Sequence, residues 1–233
     1  MGKIKVILWD IDGTLLNFGE AEKAAIRKCF EVFNQGECTD TMLRTYSAIN
    51  KEYWKRLERG EITKPEVLVG RFRDFFEKYD LDTSVVEAFN AEYQIRLGDT
   101  VCFYPNGLET VQACKGKILQ YAVTNGTKVA QDRKLKNSGL IDLLDGIFIS
   151  EEIGIEKPMI GFFEKVFEKI GEYDKSEIMI IGDSLTSDIQ GGNNAGIVTC
   201  WFNPSKKKED TELRIDYEIS DLGQVPDICD VDI

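Results

Sequence analysis

No histidine occurs anywhere in the chain. That absence excludes Ser-His and Cys-His hydrolytic machinery, phosphohistidine chemistry and imidazole-bound metals, and leaves acid–base work to Asp, Glu, Lys, Tyr or Cys. Six cysteines (Cys29, Cys38, Cys102, Cys114, Cys200, Cys229) are scattered without a Cys-x-x-Cys spacing. This argues against a zinc knuckle or a dithiol centre and for reduced thiols used in packing. No apolar run approaches the roughly 18 residues of a membrane span. Lys3 and Lys5 precede only a brief apolar run that ends in acids, unlike a signal peptide, so the expectation is a cytoplasmic protein without a membrane partner. Positive charge is also scarce, with 29 Lys and Arg against 41 Asp and Glu, a formal net charge of −12. A nucleic-acid partner is therefore not expected. A site for an anionic substrate would have to gather positive charge locally, which a divalent cation held by carboxylates would supply.

What is present is organised around Ile4 to Thr14. Val6 to Trp9 is an apolar run with β-branched and aromatic members, the pattern of a strand buried on both faces of a parallel sheet. It ends in Asp10-Ile11-Asp12-Gly13-Thr14. Period-two alternation sends Asp10 and Asp12 off the strand end on the same side, and Gly13 permits a tight turn behind them. Like charges so close must differ in proton affinity, so one acid suits a nucleophile or metal ligand and the other can carry a proton.

Helical periodicity follows over 20–33, about 40–59, 64–79 and 84–97, the third opened by the capping pattern Thr63-Lys64-Pro65-Glu66. Four consecutive helices with short connections predict a helical bundle inserted after the first strand. From about Thr100 helices and strands alternate. Strands are expected at 118–123, 146–149, 177–181 and 197–202, helices at 107–115, 127–137, 161–170 and 187–195, and a last short strand at 217–219 before a loosely ordered tail. The fold class is α/β, a doubly wound, Rossmann-like parallel sheet formed by residues 1–16 and 100–233, with residues 17–99 as an inserted helical domain. The run Lys206-Lys207-Lys208-Glu209-Asp210 reads as a solvated loop, since its acids cancel its lysines.

Four candidate elements fall at the same edge of the predicted sheet: Asp10 with Asp12, Thr124 with Asn125, Lys157, and Asp183 with Asp188. Phosphoryl transfer needs such a set, with a nucleophile, an acid–base group, donors for the phosphoryl oxygens, a fixed cation and a Mg²⁺ site. Mg²⁺ takes oxygen ligands and commonly only one or two carboxylates, a role that suits Asp10 and Asp183. Singly, Thr124 or Asn125 reads equally as a helix cap, Lys157 as a surface lysine and Asp188 as a first-turn acid. Their ordered co-occurrence is what a structural account leaves unexplained.

In that order the four motifs, Asp10-Ile11-Asp12-Gly13-Thr14, Thr124-Asn125-Gly126, Lys157-Pro158 and Gly182-Asp183-Ser184-Leu185-Thr186-Ser187-Asp188, resemble those of the haloacid dehalogenase superfamily. The resemblance implies that Asp10 is a nucleophile forming an aspartyl-phosphate and that Asp12 is the acid and then the base. It further implies that Thr124 and the Asn125 backbone hold phosphoryl oxygens and that Lys157 binds there too, neutralising charge on Asp10 and the phosphate. Mg²⁺ would be bound by Asp10, the Asp12 carbonyl and Asp183, with Asp188 orienting metal waters or Lys157. An acid at position 12 favours phosphate over halide chemistry. The helices after the first motif are similar to an α-helical cap of the C1 type, able to exclude water and choose the leaving group.

Within the superfamily the chain looks most like the pyrimidine 5′-nucleotidases that clear noncanonical nucleotides, through 149–154, 187–192, 194–196 and 199–203, with 50–54 and 70–72 in the helical insert. The implied substrate is a nucleoside monophosphate. A sugar-phosphate or phosphoglycolate phosphatase, a phosphomutase, and a non-catalytic phosphate-binding regulatory module stay open as alternatives. Phe18, Trp54 and Phe72 could stack on a base, although aromatics at helical spacing serve equally as a bundle core.

Overall fold

The computed structural model describes residues 3–208 and 211–231. Gly2 lies outside them, as do Glu209 and Asp210 of the charged run, whose Lys206, Lys207 and Lys208 are exposed. Strand β1 (Val6–Trp9) is followed by four helices: α1 (Phe18–Val32), α2 (Asp40–Glu58), α3 (Lys64–Lys78) and α4 (Val86–Asp99). Then come α5 (Gly107–Cys114), β2 (Leu119–Thr124), α6 (Lys128–Asn137), β3 (Gly146–Ile149), α7 (Ser150–Ile153) and α8 (Ile160–Ile170). The chain closes with β4 (Ile178–Gly182), α9 (Gln190–Ala195), β5 (Val198–Phe202), β6 (Tyr217–Ile219) and α10 (Val225–Ile228).

The six strands are all parallel, in the order β3-β2-β1-β4-β5-β6. The winding reverses between β1 and β4, which opens a crevice at their carboxyl ends, where ligands bind in sheets of this kind. Alternation along β1 and β4 divides the core into two layers. Ile7, Trp9, Met179 and Ile181 face the layer of α5 and α10, whereas Val6, Leu8, Ile178 and Ile180 face α8 and α9.

The helices α1 to α4 enclose a separate aromatic core in which Phe30, Tyr46, Phe72, Phe75, Phe76, Phe89 and Tyr93 are all buried. Phe72 has none of its surface exposed and packs on Tyr46 at 4.9 Å between ring centroids and on Phe89 and Tyr93 at 5.1 Å. It is therefore a core residue and not a platform for a base. Three local expectations are corrected. Helix α4 runs through Gly98, because a Cβ there would press on Arg133 of α6 and the missing side chain lets the two helices meet. The short α7 lies in a stretch to which the sequence assigns no element, since four residues are too few to show a period. The tail is ordered through the described residues to Val231, capped by Asp221 and continued into α10.

Candidate active site

Each predicted site residue lies at the carboxyl edge of the sheet. Asp10 extends β1, its N–H donating to Ile181 O at 2.9 Å, and the residue is 7% exposed. Its two oxygens have different partners. Oδ1 accepts from Lys157 Nζ at 2.9 Å, and Oδ2 from Thr14 Oγ1 at 3.0 Å. Thr14 in turn accepts from the Asp183 N–H at 3.1 Å, so a single buried hydroxyl ties the loop after β1 to the loop after β4. Gly13 stands between those loops at φ +100°, and a Cβ there would lie 2.5 Å from Asp183 Oδ1. Only glycine meets both the backbone and the space.

Lys157 is 1% exposed and spends all three ammonium donors, on Asp10, on Val123 O at 2.7 Å and on Asp188 Oδ1 at 2.7 Å. Its backbone is clamped by Asn125, whose amide donates to Lys157 O at 2.8 Å and accepts from Lys157 N at 2.9 Å. The Asn125 side chain is thus a positioner of Lys157, and the neighbouring Thr124 hydroxyl accepts from the Gly126 N–H at 3.0 Å. Asp188 sits in a turn of π-helix, Leu185–Ile189, a widened form common at functional sites, and also accepts from Ser184 N at 3.1 Å.

One carboxylate oxygen from each of Asp10, Asp183 and Asp188 lies within 4.8 Å of the others. Three acids thus face one ammonium, and the crowding shows in their proton affinities. Burial drives Asp10 up to about 7 against the pull of Lys157. Burial also raises Asp188, again opposed by Lys157. Enclosure by the surrounding protein, then the charges of Asp10 and Asp188, push Asp183 well above the carboxylate range, although its side chain still meets solvent. For Lys157 burial favours the neutral amine, but Asp10 and Asp188 outweigh it and keep the ammonium charged. An all-oxygen, carboxylate-rich donor set beside solvent fits a hard divalent cation such as Mg²⁺. Asp12 contributes no carboxylate oxygen to this group.

Asp12 faces α6 instead. Its Oδ2 accepts from Gln131 Nε2 at 2.6 Å, and its Oδ1 is paired with Lys134 Nζ. From the bundle side, Thr186 Oγ1 donates to Glu58 Oε2 at 2.5 Å, Lys64 Nζ donates to Ser150 Oγ at 2.6 Å, and Thr127 Oγ1 donates to Gln94 Oε1 at 2.7 Å. Sequence reasoning assigned no role to Thr14, Gln131, Lys134 or Glu58. Gln131 and Lys134 had a signal, a polar pair one turn apart on a helix that must bury a face. Glu58 had none.

Residues 4–196 match the family model described as haloacid dehalogenase-like hydrolase. The chain is 34% identical over 234 residues to the HAD-hydrolase YfnB of Bacillus subtilis, covering 100% of this chain and 98% of that one. A magnesium-bound crystal structure of YfnB, in which interdomain movement is described, superposes with a TM-score of 0.91 over 99% of this chain and 100% of that chain at 34% identity. The pyrimidine 5′-nucleotidase PynA of Streptococcus pneumoniae is 34% identical over 232 residues (98% of this chain, 96% of that one). The pyrimidine 5′-nucleotidase YjjG of Escherichia coli is 28% identical over 219 residues (94% and 95%).

Proposed function

The chain belongs to the haloacid dehalogenase-like hydrolases, and from that premise we propose that it is a Mg²⁺-dependent phosphomonoesterase acting on pyrimidine nucleoside 5′-monophosphates. The observation that carries this reading is the meeting of Asp10, Thr14, Lys157, Asp183 and Asp188 beyond the carboxyl ends of β1 and β4. In the first step an oxygen of Asp10 bonds to phosphorus as the bond to the 5′-oxygen breaks, and Asp12 gives that oxygen a proton. In the second, a water that loses its proton to Asp12 attacks the aspartyl-phosphate, and the electron pair of the broken bond returns to Asp10. Lys157 stays against Asp10 throughout and offsets charge on the carboxylate. Thr124 and the Asn125 backbone are the donors assigned to the phosphoryl oxygens. Asp10, Asp183 and the Asp12 carbonyl would hold Mg²⁺, which when bound neutralises phosphoryl charge, while Asp188 orients Lys157.

Residues 17–99 are read as the cap over a core made of 1–16 and 100–233. The polar contacts of Glu58, Lys64 and Gln94 with the core support this, because such contacts can be exchanged for water when a cap opens. The pyrimidine preference rests on likeness to PynA and YjjG. It is tested by measuring phosphate release with Mg²⁺ from nucleoside monophosphates, sugar phosphates and phosphoglycolate. Pyrimidine monophosphates should lead, and Asp10→Asn should release no phosphate while keeping its fold. Turnover led by sugar phosphates refutes the substrate class, and an active Asp10→Asn refutes the nucleophile.

A further inference from the structure

Lys134 is 1% exposed, lies in the last turn of α6 and has Asp12 as its only ion-pair partner among the described residues. Gln131, one turn earlier and also 1% exposed, donates to the other oxygen of the same carboxylate at 2.6 Å. The arrangement has its own supports. The Phe18 ring lies 5.4 Å from the Lys134 ammonium and covers it. Gly126 leaves room for Gln131, since a Cβ there would fall 2.8 Å from Gln131 Cδ. A buried ion pair of this kind is a poor source of stability, because desolvation offsets much of the attraction and an apolar pair would serve as well. A donor on each oxygen holds the carboxylate in one orientation, which an apolar pair would not do.

We infer that Lys134 and Gln131 are positioning residues for Asp12 in the second half of the reaction, an inference that rests on the acid–base role given to Asp12 above. Water attack on the aspartyl-phosphate requires Asp12 as a correctly aimed base. The water O–H bond breaks toward Asp12, the water oxygen bonds to phosphorus, and the Asp10 oxygen–phosphorus bond breaks. Lys134 on one carboxylate oxygen and Gln131 on the other fix the rotation of Asp12 and aim it at the attacking water. Departure of a leaving group that needs no proton makes no such demand on Asp12.

An aryl phosphate separates the two halves, because p-nitrophenolate leaves without general acid help. With p-nitrophenyl phosphate, kcat/KM reports formation of the aspartyl-phosphate and kcat reports its hydrolysis when that step is slow. Lys134→Met should lower kcat about 30- to 100-fold and lower KM by the same factor. kcat/KM should then be preserved and the pre-steady-state burst of p-nitrophenolate should approach one per site. Lys134→Arg should recover part of kcat, and Gln131→Ala should show the same split in milder form. The preserved kcat/KM also shows that the variant is folded. Loss of kcat/KM together with kcat, or an unchanged kcat, overturns the inference. Asp12→Asn distinguishes the two levels: if it keeps full kcat, the acid–base reading of Asp12 fails. If it shows the kcat loss while Lys134→Met does not, only the positioning role fails.

Discussion

Replacing Asp183 by Asn removes one charge from the strand-end pit at nearly constant shape. With Asp10, Asp183 and Asp188 ionised and Lys157 charged, the four groups carry a formal −2, and Asp183 faces two like charges and one opposite one. One uncompensated unit charge at 4.8 Å gives about 3.5 kcal/mol of repulsion at an effective dielectric of about 20. Because Asp183 meets solvent, about a third of that survives, roughly 1 kcal/mol. In a chain of this size each kcal/mol moves Tm by about 2–4 °C. Without metal, at a pH high enough to ionise all three acids, Asp183→Asn should therefore melt about 2–4 °C above the wild type. Mg²⁺ reverses the order. At a hundredfold excess over its Kd a ligand adds about 2.7 kcal/mol to the form that binds it, or about 5–11 °C. The wild type should gain that increment and the variant almost none. Scanning calorimetry in EDTA and in saturating MgCl₂ provides the four values. A variant that melts below the wild type in EDTA, or one that keeps the full magnesium increment, would refute the reasoning.

Lys157→Met leaves Asp10, Asp188 and Val123 O without their common donor and should cost about 3–5 kcal/mol in denaturant unfolding. Adding Asp188→Asn should return part of it, and strict additivity of the two changes would count against a shared cluster. Folding raises Asp10 from 3.8 to about 7, so between those values the native state binds a proton that the unfolded chain has released. The resulting stability is present at low pH and lost as pH rises through about 7. In EDTA the wild type should accordingly lose Tm relative to Asp10→Asn between about pH 5 and pH 8, and a constant difference would remove the shift. Phe72→Leu should lower stability by roughly 1 kcal/mol and leave KM for nucleoside monophosphates unchanged; a raised KM would restore Phe72 as a substrate contact.

The parts of the fold legible in the sequence are those with strong periods. β1 and β4 are continuous apolar runs, and α1 to α3 carry capping residues and apolar stripes, so their order and type follow from residues that sit next to one another. The end of α4 was misplaced because Gly98 is a stop signal locally and a packing notch against α6 in three dimensions. The same divide runs through the site. Asp10, Lys157, Asp183 and Asp188 stand in short motifs at strand ends and could be grouped from topology alone. The partners of Asp12 could not, because its tie to Lys134 spans 122 positions and depends on how α6 rotates over the sheet. Thr14 was visible as a motif letter, yet its place between the Asp10 carboxylate and the Asp183 N–H requires the two loops to be set side by side.

The buried lysines carry the argument one step further. In a chain of net charge −12, the lysines with less than a tenth of their surface exposed, among the described residues, are Lys64, Lys134 and Lys157. All three lie around the carboxyl edge of the sheet, and each is matched to acids of the protein: Glu156, Asp12, and Asp10 with Asp188. None of them therefore brings spare positive charge to an incoming phosphate, which meets three carboxylates at the place where it must react. Backbone N–H groups stabilise an anion only in part, so a phosphate dianion reaches Asp10 when a cation has first neutralised the acids. The requirement for divalent metal should then be absolute and should appear in substrate binding as well as in turnover. Titrating EDTA-treated protein with inorganic phosphate by calorimetry, before and after addition of MgCl₂, measures it directly. Phosphate binding of equal strength in both conditions would mean that one of these lysines is released to the ligand, and the charge count would have to be redrawn around that residue.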